Sequence, residues 1–360
     1  MRVVHIVPAT FGDGGIYGGG ERYAFELARY MARTVDTRLI AFGDRDRRER
    51  IDGLELRVIG HPWYVRGQRG NPFAFAMMRE LRGADIVHCH QQHVVASSVA
   101  AIASRLTRRR VFVTDLGGGG WDVSAYISTD RWYDGHLHLS EYSRRLSGHE
   151  GMRNAHVILG GVDCEKFSPG DGGARRAGVL YAGRILPHKG INDLVDAIAP
   201  ELELRIVGRV ADERFLADLR RRAAGKRVSF EHEADDAALV EAYRGALCVV
   251  LPSVYRTMYG EETRVPELLG QTLLEGMACG APAICTRVAS LPEIVADGVT
   301  GFIVPPNDPP ALADRIGWLA AHPEEAAAMG AAARRRVLEK FTWPLVVRRC
   351  LEIYAGEGHG

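Results

Sequence analysis

Short apolar runs of strand length alternate with stretches of helical periodicity along the whole chain. In the first half, runs rich in β-branched residues predict strands at residues 2–7, 37–42, 54–58, 85–90, 111–115 and 135–140. A helix is predicted over residues 21–34, with an apolar face made of Tyr23, Leu27, Tyr30 and Met31. Alternation of this kind predicts parallel sheets whose strands are joined by crossover helices.

The same pattern restarts in the second half of the chain, with strands predicted at residues 178–183, 204–208, 247–252, 283–286 and 300–304. Asp171-Gly172-Gly173 comes just before this restart and is typical of an inter-domain linker. A last helix is predicted from Thr342, because Trp343-Pro344 places proline in a first helical turn.

These breaks predict an α/β protein with two Rossmann-like domains, at residues 1–168 and 169–341, followed by a helix and tail at 342–360. Open parallel sheets bind ligands at the carboxyl ends of their strands. We therefore expect the two domains to face each other across one deep cleft.

Composition narrows the class of protein without naming a function. The chain has 360 residues, enough for two domains, and its formal net charge of +1 argues against a nucleic-acid partner held by overall charge. None of the six cysteines forms a C-x-x-C pair, which favours buried free thiols in a reducing compartment. The first apolar run is too short for a signal peptide, and no run reaches transmembrane length. A cytoplasmic protein is expected.

Two carboxylates separated by seven residues, Glu267 and Glu275, mark the densest chemical signal. Gly270 precedes an apolar helical run, so the amides of Gln271 and Thr272 are predicted to lie at a helix N-terminus, which attracts phosphate. Glu275 lies one turn further in, where it could accept hydrogen bonds from two vicinal hydroxyls. By pattern alone, a surface helix with two glutamates explains the segment equally well.

A second signal is the loop Gly183-Arg184-Ile-Leu-Pro-His188-Lys189-Gly190, which joins a predicted strand to a predicted helix. Arg184 and Lys189 could neutralise a leaving diphosphate without a metal ion. Taken in isolation, the loop also fits an ordinary solvated basic segment.

Together these segments resemble the GT-B retaining glycosyltransferases of family 4, whose C-terminal halves carry the E-x7-E element and the G-R-x-x-x-x-K-G loop. Residues 158–169 and 291–304 fit the same template. The resemblance covers nearly the whole chain and is most specific between residues 157 and 306. It implies a GT-B fold whose C-terminal helix returns to the first domain. It also implies sugar transfer from a nucleotide-diphosphate sugar to an acceptor hydroxyl, with retention and without a metal.

The resemblance assigns roles to matching positions. Glu275 would hold the ribose hydroxyls, Arg184 and Lys189 the diphosphate, and Glu267 would approach the donor sugar. The implied donor-binding residues are Gly19, Gly20, Gly183, Arg184, Lys189, Gly208, Gly270, Gln271, Thr272, Leu273 and Glu275. The implied catalytic residues are Glu267, Arg184, Lys189 and Asp115.

The first domain matches the template more loosely. Gly18-Gly19-Gly20 resembles the loop that closes over the donor phosphates, and the absence of G-x-G-x-x-G spacing argues against a dinucleotide cofactor. Many family members carry a histidine after the fifth strand of this domain. Either Asp115 or Leu116 stands at that position here, and only Asp115 could accept a hydrogen bond from a sugar.

No cofactor is expected besides the nucleotide sugar, which acts as co-substrate, and the partner is a glycan or lipid-linked acceptor. Two alternatives stay open: a homologue that binds nucleotide sugars without transferring them, and a nucleotide-sugar epimerase.

Two other groups of possible ligands are predicted not to bind a metal. Asp44-Arg45-Asp46 has the D-x-D form, but its charged surroundings predict a solvated loop. In the sequence His88-Cys89-His90, followed by His93, a strand would point His88 and His90 to one face and Cys89 to the other. We expect a strand-end histidine pair near the cleft, where contact with the acceptor is possible.

Two segments of the first domain carry alternative interpretations. Residues 61–78 mix aromatic, basic and apolar side chains, which fits either peripheral contact with a membrane or a helix that packs Phe73 and Met77 into the core. Residues 117–122 predict a flexible glycine loop, either beside the sugars or simply at the surface.

Overall fold

A computed structural model describes residues 1–10, 19–117, 120–170, 176–232 and 234–357. It divides into two compact units, Met1–Gly161 with Trp343–Gly360, and Val162–Thr342. The sequence placed the domain boundary after Ser168, and the proposed linker at residues 171–173 lies outside the described residues.

The first unit is built on a sheet with strand order β10-β9-β8-β7-β1-β2-β4-β3. Adjacent strands of this sheet pair parallel, apart from the edge strand β3, which pairs antiparallel with β4. A short antiparallel pair, β5 and β6, lies outside this sheet. The strands are β1 (Arg2–Thr10), β2 (Asp36–Gly43), β3 (Arg47–Ile51), β4 (Leu54–Gly60), β5 (Trp63–Tyr64), β6 (Pro72–Phe73), β7 (Ile86–His90), β8 (Arg110–Thr114), β9 (Gly135–His138) and β10 (Ala155–Val157).

Helices on both faces of this sheet explain why its central strands are almost wholly buried. They are α1 (Gly19–Met31), α2 (Met77–Glu80), α3 (Val95–Leu106) and α4 (Glu141–Leu146). On one face, Ala24 and Ala28 of α1 pack with Val7 and Leu39. The opposite face is covered by a larger apolar cluster that includes residues of α2 and α3. The predicted strands of this half are confirmed, as is the apolar face of α1.

The sequence predicted a solvated loop for the charged run after β2, but the structure places a strand within that run. Residues Arg47–Ile51 form the edge strand β3, and most of its side chains are exposed. A solvated edge strand needs no apolar alternation, so it gave no strand signal in the sequence. Its charge also discourages pairing with another chain.

The second unit contains a parallel sheet with strand order β13-β12-β11-β14-β15-β16. Its strands are β11 (Val179–Ala182), β12 (Glu203–Val207), β13 (Arg227–Glu231), β14 (Cys248–Leu251), β15 (Ala283–Thr286) and β16 (Gly301–Val304). Its helices are α5 (Ile191–Ala197), α6 (Glu213–Arg222), α7 (Asp236–Gly245), α8 (Gln271–Ala278), α9 (Leu291–Ile294), α10 (Pro309–Ala321) and α11 (Pro323–Lys340). The predicted strands of this half are confirmed, and β13 is an addition whose half-exposed residues gave little signal.

The last helix, α12 (Trp343–Ala355), belongs to the first unit, as the resemblance implied. The Trp343 ring lies 5.3 Å from that of Tyr23 on α1. Near the other end of α12, the Tyr354 hydroxyl hydrogen-bonds His88 Nδ1 at 2.6 Å. Buried aromatic packing therefore ties this helix to α1 and to β7.

In both sheets the order of the strands reverses between two parallel neighbours. The reversal falls between β1 and β7 in the first unit and between β11 and β14 in the second. Ligands of open α/β sheets bind outside the carboxyl ends of the strands at such a reversal. The residues that follow these strands are therefore the first place to look for a site.

Candidate functional site

Two glycines bring the backbone close together at the carboxyl edge of the second sheet. Gly183 follows β11 and Gly208 follows β12, with φ angles of 149° and 147°. A Cβ at Gly208 would lie 2.0 Å from the carbonyl oxygen of Gly183, which no side chain tolerates. The two loops therefore pack backbone against backbone at this point, which only glycine allows.

Lys189 and Glu267 form an ion pair at the strand reversal, although they lie 78 positions apart in the sequence. Lys189 ends a 3₁₀ turn after β11, and Glu267 lies in the connection from β14 to α8. Lys189 Nζ also donates to the Pro266 carbonyl at 3.2 Å, and Ser253 Oγ donates to Glu267 Oε1 at 3.0 Å. The two charged side chains are only 11% and 12% exposed. The pair is thus fixed in a largely water-excluded setting.

Gly190 makes this arrangement possible. It adopts φ 64°, and a Cβ there would lie 2.0 Å from the Pro252 carbonyl oxygen at the end of β14. A side chain at this position would force the loop that carries Lys189 away from β14.

Arg184 lies in the same loop but is exposed, and the structure records no salt bridge for it within the described ranges. His188 lies within electrostatic range of both Arg184 and Lys189. Burial, with help from these cations, lowers the pKa of His188 to about 4. The loop consequently holds a neutral imidazole and an exposed guanidinium beside the buried ion pair.

Helix α8 begins where the sequence placed it. Gly270 precedes its first residue with φ 76°, and a Cβ there would lie 2.7 Å from Leu291 Cδ2. Gln271 and Thr272 are half-buried in the first turn, whose N–H groups point out of the helix end, while Leu273 is fully buried. Glu275 is also buried, and its Oε2 accepts a hydrogen bond from Tyr243 at 2.9 Å.

In the first unit, the start of α1 lies against Leu116, the second residue after β8. A Cβ at Gly20 would lie 3.4 Å from Leu116 Cβ, whereas Gly19 has no atom within 4 Å of such a position. Gly18, which the sequence also implicated, lies outside the described residues. Leu116 is thus engaged in packing at the helix start.

The neighbouring Asp115 is half-buried in polar surroundings. Its Oδ1 accepts a hydrogen bond from the Gly117 amide at 3.1 Å. Burial raises the pKa of this carboxyl above its usual value, while Gly117, His93 and Gln91 act in the opposite direction. Gln91 itself follows β7 with φ 127°, a conformation that costs a non-glycine residue energy and occurs preferentially at functional sites.

Sequence reasoning missed a polar cluster at the same edge, made of Asp130, His136, His138 and His149. His136 and His138 lie on β9, and His149 follows α4. These residues lie in one stretch of the sequence but match no known spacing, so only alternation along β9 indicated a shared face. Burial lowers the pKa of His136 to about 4 and that of His138 to about 3.

The histidines of β7 are not placed as the sequence predicted. His88 and His90 do share a face, with ring centres 4.3 Å apart. Both are buried, however, in a cluster with His5, so they offer no contact to an acceptor. The sequence could not show that α12 covers this face of the sheet.

The glycine loop after β8 is anchored rather than flexible in its described part. Asp122 is buried and accepts hydrogen bonds from Ser98 Oγ and, at 2.8 Å, from the Ser124 amide. A Cβ at Gly120 would lie 2.4 Å from the His93 carbonyl oxygen. Residues 118–119 lie outside the described ranges.

Asp46 of the D-x-D pattern has protein partners. It accepts from the Gly60 amide at 3.3 Å and pairs with Arg57 at 2.5 Å. The Gly60 hydrogen bond, together with Arg57, lowers the pKa of this exposed carboxyl.

The segment at residues 61–78 combines core and surface. Phe73 and Met77 are buried, as the core interpretation predicted, although Phe73 lies on β6 rather than on a helix. Trp63 and Phe75 are 64% and 80% exposed. None of the helices in the described part of the chain has both the length and the apolarity needed to cross a bilayer.

Comparisons with known proteins agree with this architecture. Residues 17–166 match the description Glycosyltransferase Family 4, and residues 173–336 match Glycosyl transferases group 1. The chain is 34% identical over 380 residues to the GDP-mannose-dependent α-(1-6)-phosphatidylinositol monomannoside mannosyltransferase of Mycolicibacterium smegmatis, covering 95% of each chain. It is 27% identical to α-maltose-1-phosphate synthase of the same species, covering 94% of this chain and 95% of that one.

Solved structures show the same fold at lower identity. A glycosyltransferase from Rickettsia africae ESF-5 aligns with a TM-score of 0.76 at 20% identity, over 99% of this chain and 98% of that one. HepE from Anabaena, solved with UDP and glucose, aligns with a TM-score of 0.73 at 18% identity, over 99% and 100%. The fold is that of GT-B glycosyltransferases. The chain belongs to glycosyltransferase family 4, and it is a glycosyltransferase that uses nucleotide-sugar donors.

Proposed function

We propose that this enzyme transfers a sugar from a nucleotide-diphosphate sugar to an acceptor hydroxyl with retention of configuration and without a divalent metal. The observation that carries the proposal is the Lys189–Glu267 pair at the strand reversal of the second sheet. A cation, a carboxylate and a helix start converge there, and these groups suit a diphosphate, a sugar hydroxyl and phosphate oxygens respectively.

Each residue of this edge has one proposed task. Arg184 and Lys189 bind the diphosphate, and the amides of Gly270, Gln271 and Thr272 add hydrogen bonds, with Leu273 packing beneath them. Glu275 accepts hydrogen bonds from the ribose hydroxyls, and Glu267 from the donor sugar. Gly183 and Gly208, which follow the adjacent strands β11 and β12, lie against the nucleotide. In the first unit, Gly19 and Gly20 lie against the phosphates and Asp115 contacts the reacting sugar or the acceptor.

The two cations make a metal dispensable, because fixed positive charge stabilises a departing diphosphate in a water-poor setting. Transfer should therefore proceed at full rate in EDTA, measured by nucleotide release with each of UDP-, GDP- and ADP-sugars. Loss of activity in EDTA that is restored by manganese would contradict this account.

Retention follows if the leaving phosphate takes the proton of the acceptor on the same face of the sugar. The protein then contributes orientation and charge rather than a nucleophile. The anomeric configuration of the glycoside product, determined by NMR and compared with that of the donor, tests this step. An inverted product would require a different arrangement of the acceptor.

We further propose that the acceptor is presented at a membrane surface. Trp63 and Phe75 are strongly exposed. Arg66, which lies between them in the sequence, stacks on the Trp121 ring with its guanidinium carbon 4.4 Å from the ring centre. Exposed aromatic residues beside arginine are typical of proteins that lie on anionic bilayers. The mannosyltransferase relative is named for a phosphatidylinositol-linked acceptor, which supports the same class.

Co-sedimentation with anionic vesicles tests this contact. Binding should occur at low salt, weaken as salt is added, and fall in the double variant Trp63→Ser/Phe75→Ser. Val299→Ser, at an exposed apolar position of the second unit, is the matched control. An absence of binding at low salt would indicate a soluble acceptor.

A further inference from the structure

Asp130, His136 and His149 bring three potential ligand atoms together at the carboxyl edge of the first sheet, all within 4.8 Å of one another. His149 Nε2 and Asp130 Oδ1 are already 3.6 Å apart. Tetrahedral ligands at the usual zinc distances of about 2.0–2.1 Å are separated by about 3.3 Å. Small side-chain movements would therefore complete a site with two imidazoles and one carboxylate.

The groups around these three residues hold them in orientation. Gln92 Nε2 donates to Asp130 Oδ1 at 2.7 Å, and Ser128 Oγ donates to Oδ2 at 2.9 Å. His138 Nε2 lies 3.1 Å from His149 Nδ1, which leaves Nε2 of His149 directed toward Asp130. Metal-binding histidines and carboxylates are commonly oriented in this way by a second set of hydrogen bonds.

The other three-histidine group provides a contrast within the same unit. His5, His88 and His90 also lie within 4.8 Å of one another. His88 uses both nitrogens, one with Thr114 Oγ1 at 2.9 Å and one with Tyr354. His5 likewise bonds His90 at 2.9 Å and approaches Met31 Sδ at 3.3 Å. This group has no carboxylate and is a closed core without access to solvent, although His90 Nδ1 has no hydrogen-bond partner among the described residues.

Asp130, by comparison, is 34% exposed and gives an ion a path to the two buried imidazoles. We propose that Asp130, His136 and His149 bind one divalent transition-metal ion of the zinc class. Two imidazoles and a carboxylate suit zinc, cobalt and nickel better than magnesium or calcium, which prefer oxygen ligands. The fourth position of a tetrahedral ion is left for water, because the group supplies three protein ligands.

The bound ion joins the 3₁₀ turn at Asp130–Trp132, strand β9 and the turn after α4. It lies beside Asp115, which is within electrostatic range of His149. Its expected effect is to stabilise this edge of the first sheet, since a ligand that binds only the folded state raises stability. This site is separate from the proposed diphosphate site and needs no metal there.

The test uses the full chain after removal of metals, titrated with Zn²⁺ against a chromophoric chelator. One equivalent should bind, and the melting temperature should rise with zinc concentration. Co²⁺ should give the visible absorption bands of a four-coordinate ion. Asp130→Asn and His149→Gln should each weaken zinc binding by at least about tenfold. His156→Gln, on the adjacent strand β10 and outside the group, should leave binding unchanged.

Other results would overturn the proposal. One is a failure of the wild-type chain to bind a stoichiometric ion. Another is binding that survives both variants but is lost in His90→Gln, which would move the ion to the closed core. Asp130→Asn guards against a misfolded histidine variant, because it changes only a partly exposed side chain and its fold can be checked by circular dichroism. Nucleotide affinity measured in EDTA reports on the donor site alone, so failure of either proposal can be recognised separately.

Discussion

The carboxyl edges of the two sheets carry different charged and polar groups at the points where the strand order reverses. The edge of the second sheet holds a buried ion pair, Lys189 with Glu267, beside an exposed Arg184. The edge of the first sheet holds Asp115 within electrostatic range of His149, and burial lowers the pKa of His149 and brings that of the nearby His136 to about 4. Fixed positive charge suits a diphosphate, whereas neutral polar groups suit sugar hydroxyls. Under the proposed function, the second unit would bind the charged diphosphate of the donor, and the first unit would contact the sugar or the acceptor.

The largest effect should come from Lys189→Ala. Loss of a fixed cation at the leaving diphosphate should lower kcat by about 10²–10³-fold, and by more than it raises KM for the donor. Lys166→Ala removes a lysine–carboxylate pair at the surface of the same unit and should leave kcat unchanged.

Because Lys189→Ala also leaves Glu267 buried without its partner, stability must be measured alongside kinetics. A normal kcat in a folded Lys189→Ala protein would show that the positive charge of Lys189 plays no part in transfer.

Glu275→Ala should weaken nucleotide binding by about 10–100-fold, which corresponds to 1.5–3 kcal/mol for hydrogen bonds to a charged group. Calorimetry with the nucleotide measures it directly. Glu213→Ala, an exposed carboxylate in the first turn of α6, serves as the control. An unaltered dissociation constant would mean that ribose is held elsewhere.

Asp115→Ala tests the carboxyl edge of the first sheet. If the first edge contacts only sugar or acceptor, kcat/KM should fall about tenfold while nucleotide affinity stays the same. Leu116→Met changes the neighbouring packing residue without removing a polar group, so it should have little effect. Full transferase activity in Asp115→Ala would show that this carboxylate has no part in transfer.

A smaller effect concerns stability in the second unit. Asp193 on α5 is buried, and its Oδ2 has no hydrogen-bond partner among the described residues. Burial, with repulsion from Asp196, raises its pKa from 3.8 to about 6. A raised carboxyl pKa stabilises the fold below pH 4, and that contribution is lost as pH rises through about 6.

Asp193→Asn should therefore stabilise the protein by about 2–3 kcal/mol at pH 8 and by little at pH 4, as denaturant unfolding would measure. Asp196→Asn, at the exposed partner of Arg222, should change stability by less than about 1 kcal/mol at both pH values. An equal gain at both pH values for Asp193→Asn would rule out titration as the cause.

Much of the fold was predictable because buried parallel strands are continuous apolar runs. Strands β11, β14 and β15 are wholly buried, so their sequences carry a strong signal. The edge strands β3 and β13 are partly solvated and carry little signal. Glycines were informative for a similar reason, since Gly190 and Gly270 are fixed by contacts that exclude a Cβ.

The sequence by itself determined the two-sheet architecture and the proposed donor motifs, because Arg184, Lys189, Gly270 and Glu275 lie in short segments of the chain. Only the tertiary structure decided which distant residues meet. In the folded chain, Lys189 pairs with Glu267, and Tyr354 of α12 covers His88. Asp130, His136 and His149 lie together at the edge of the first sheet. Such contacts depend on the order of the strands in each sheet and on the packing of α12 against the first unit. A local pattern of residues specifies neither of these.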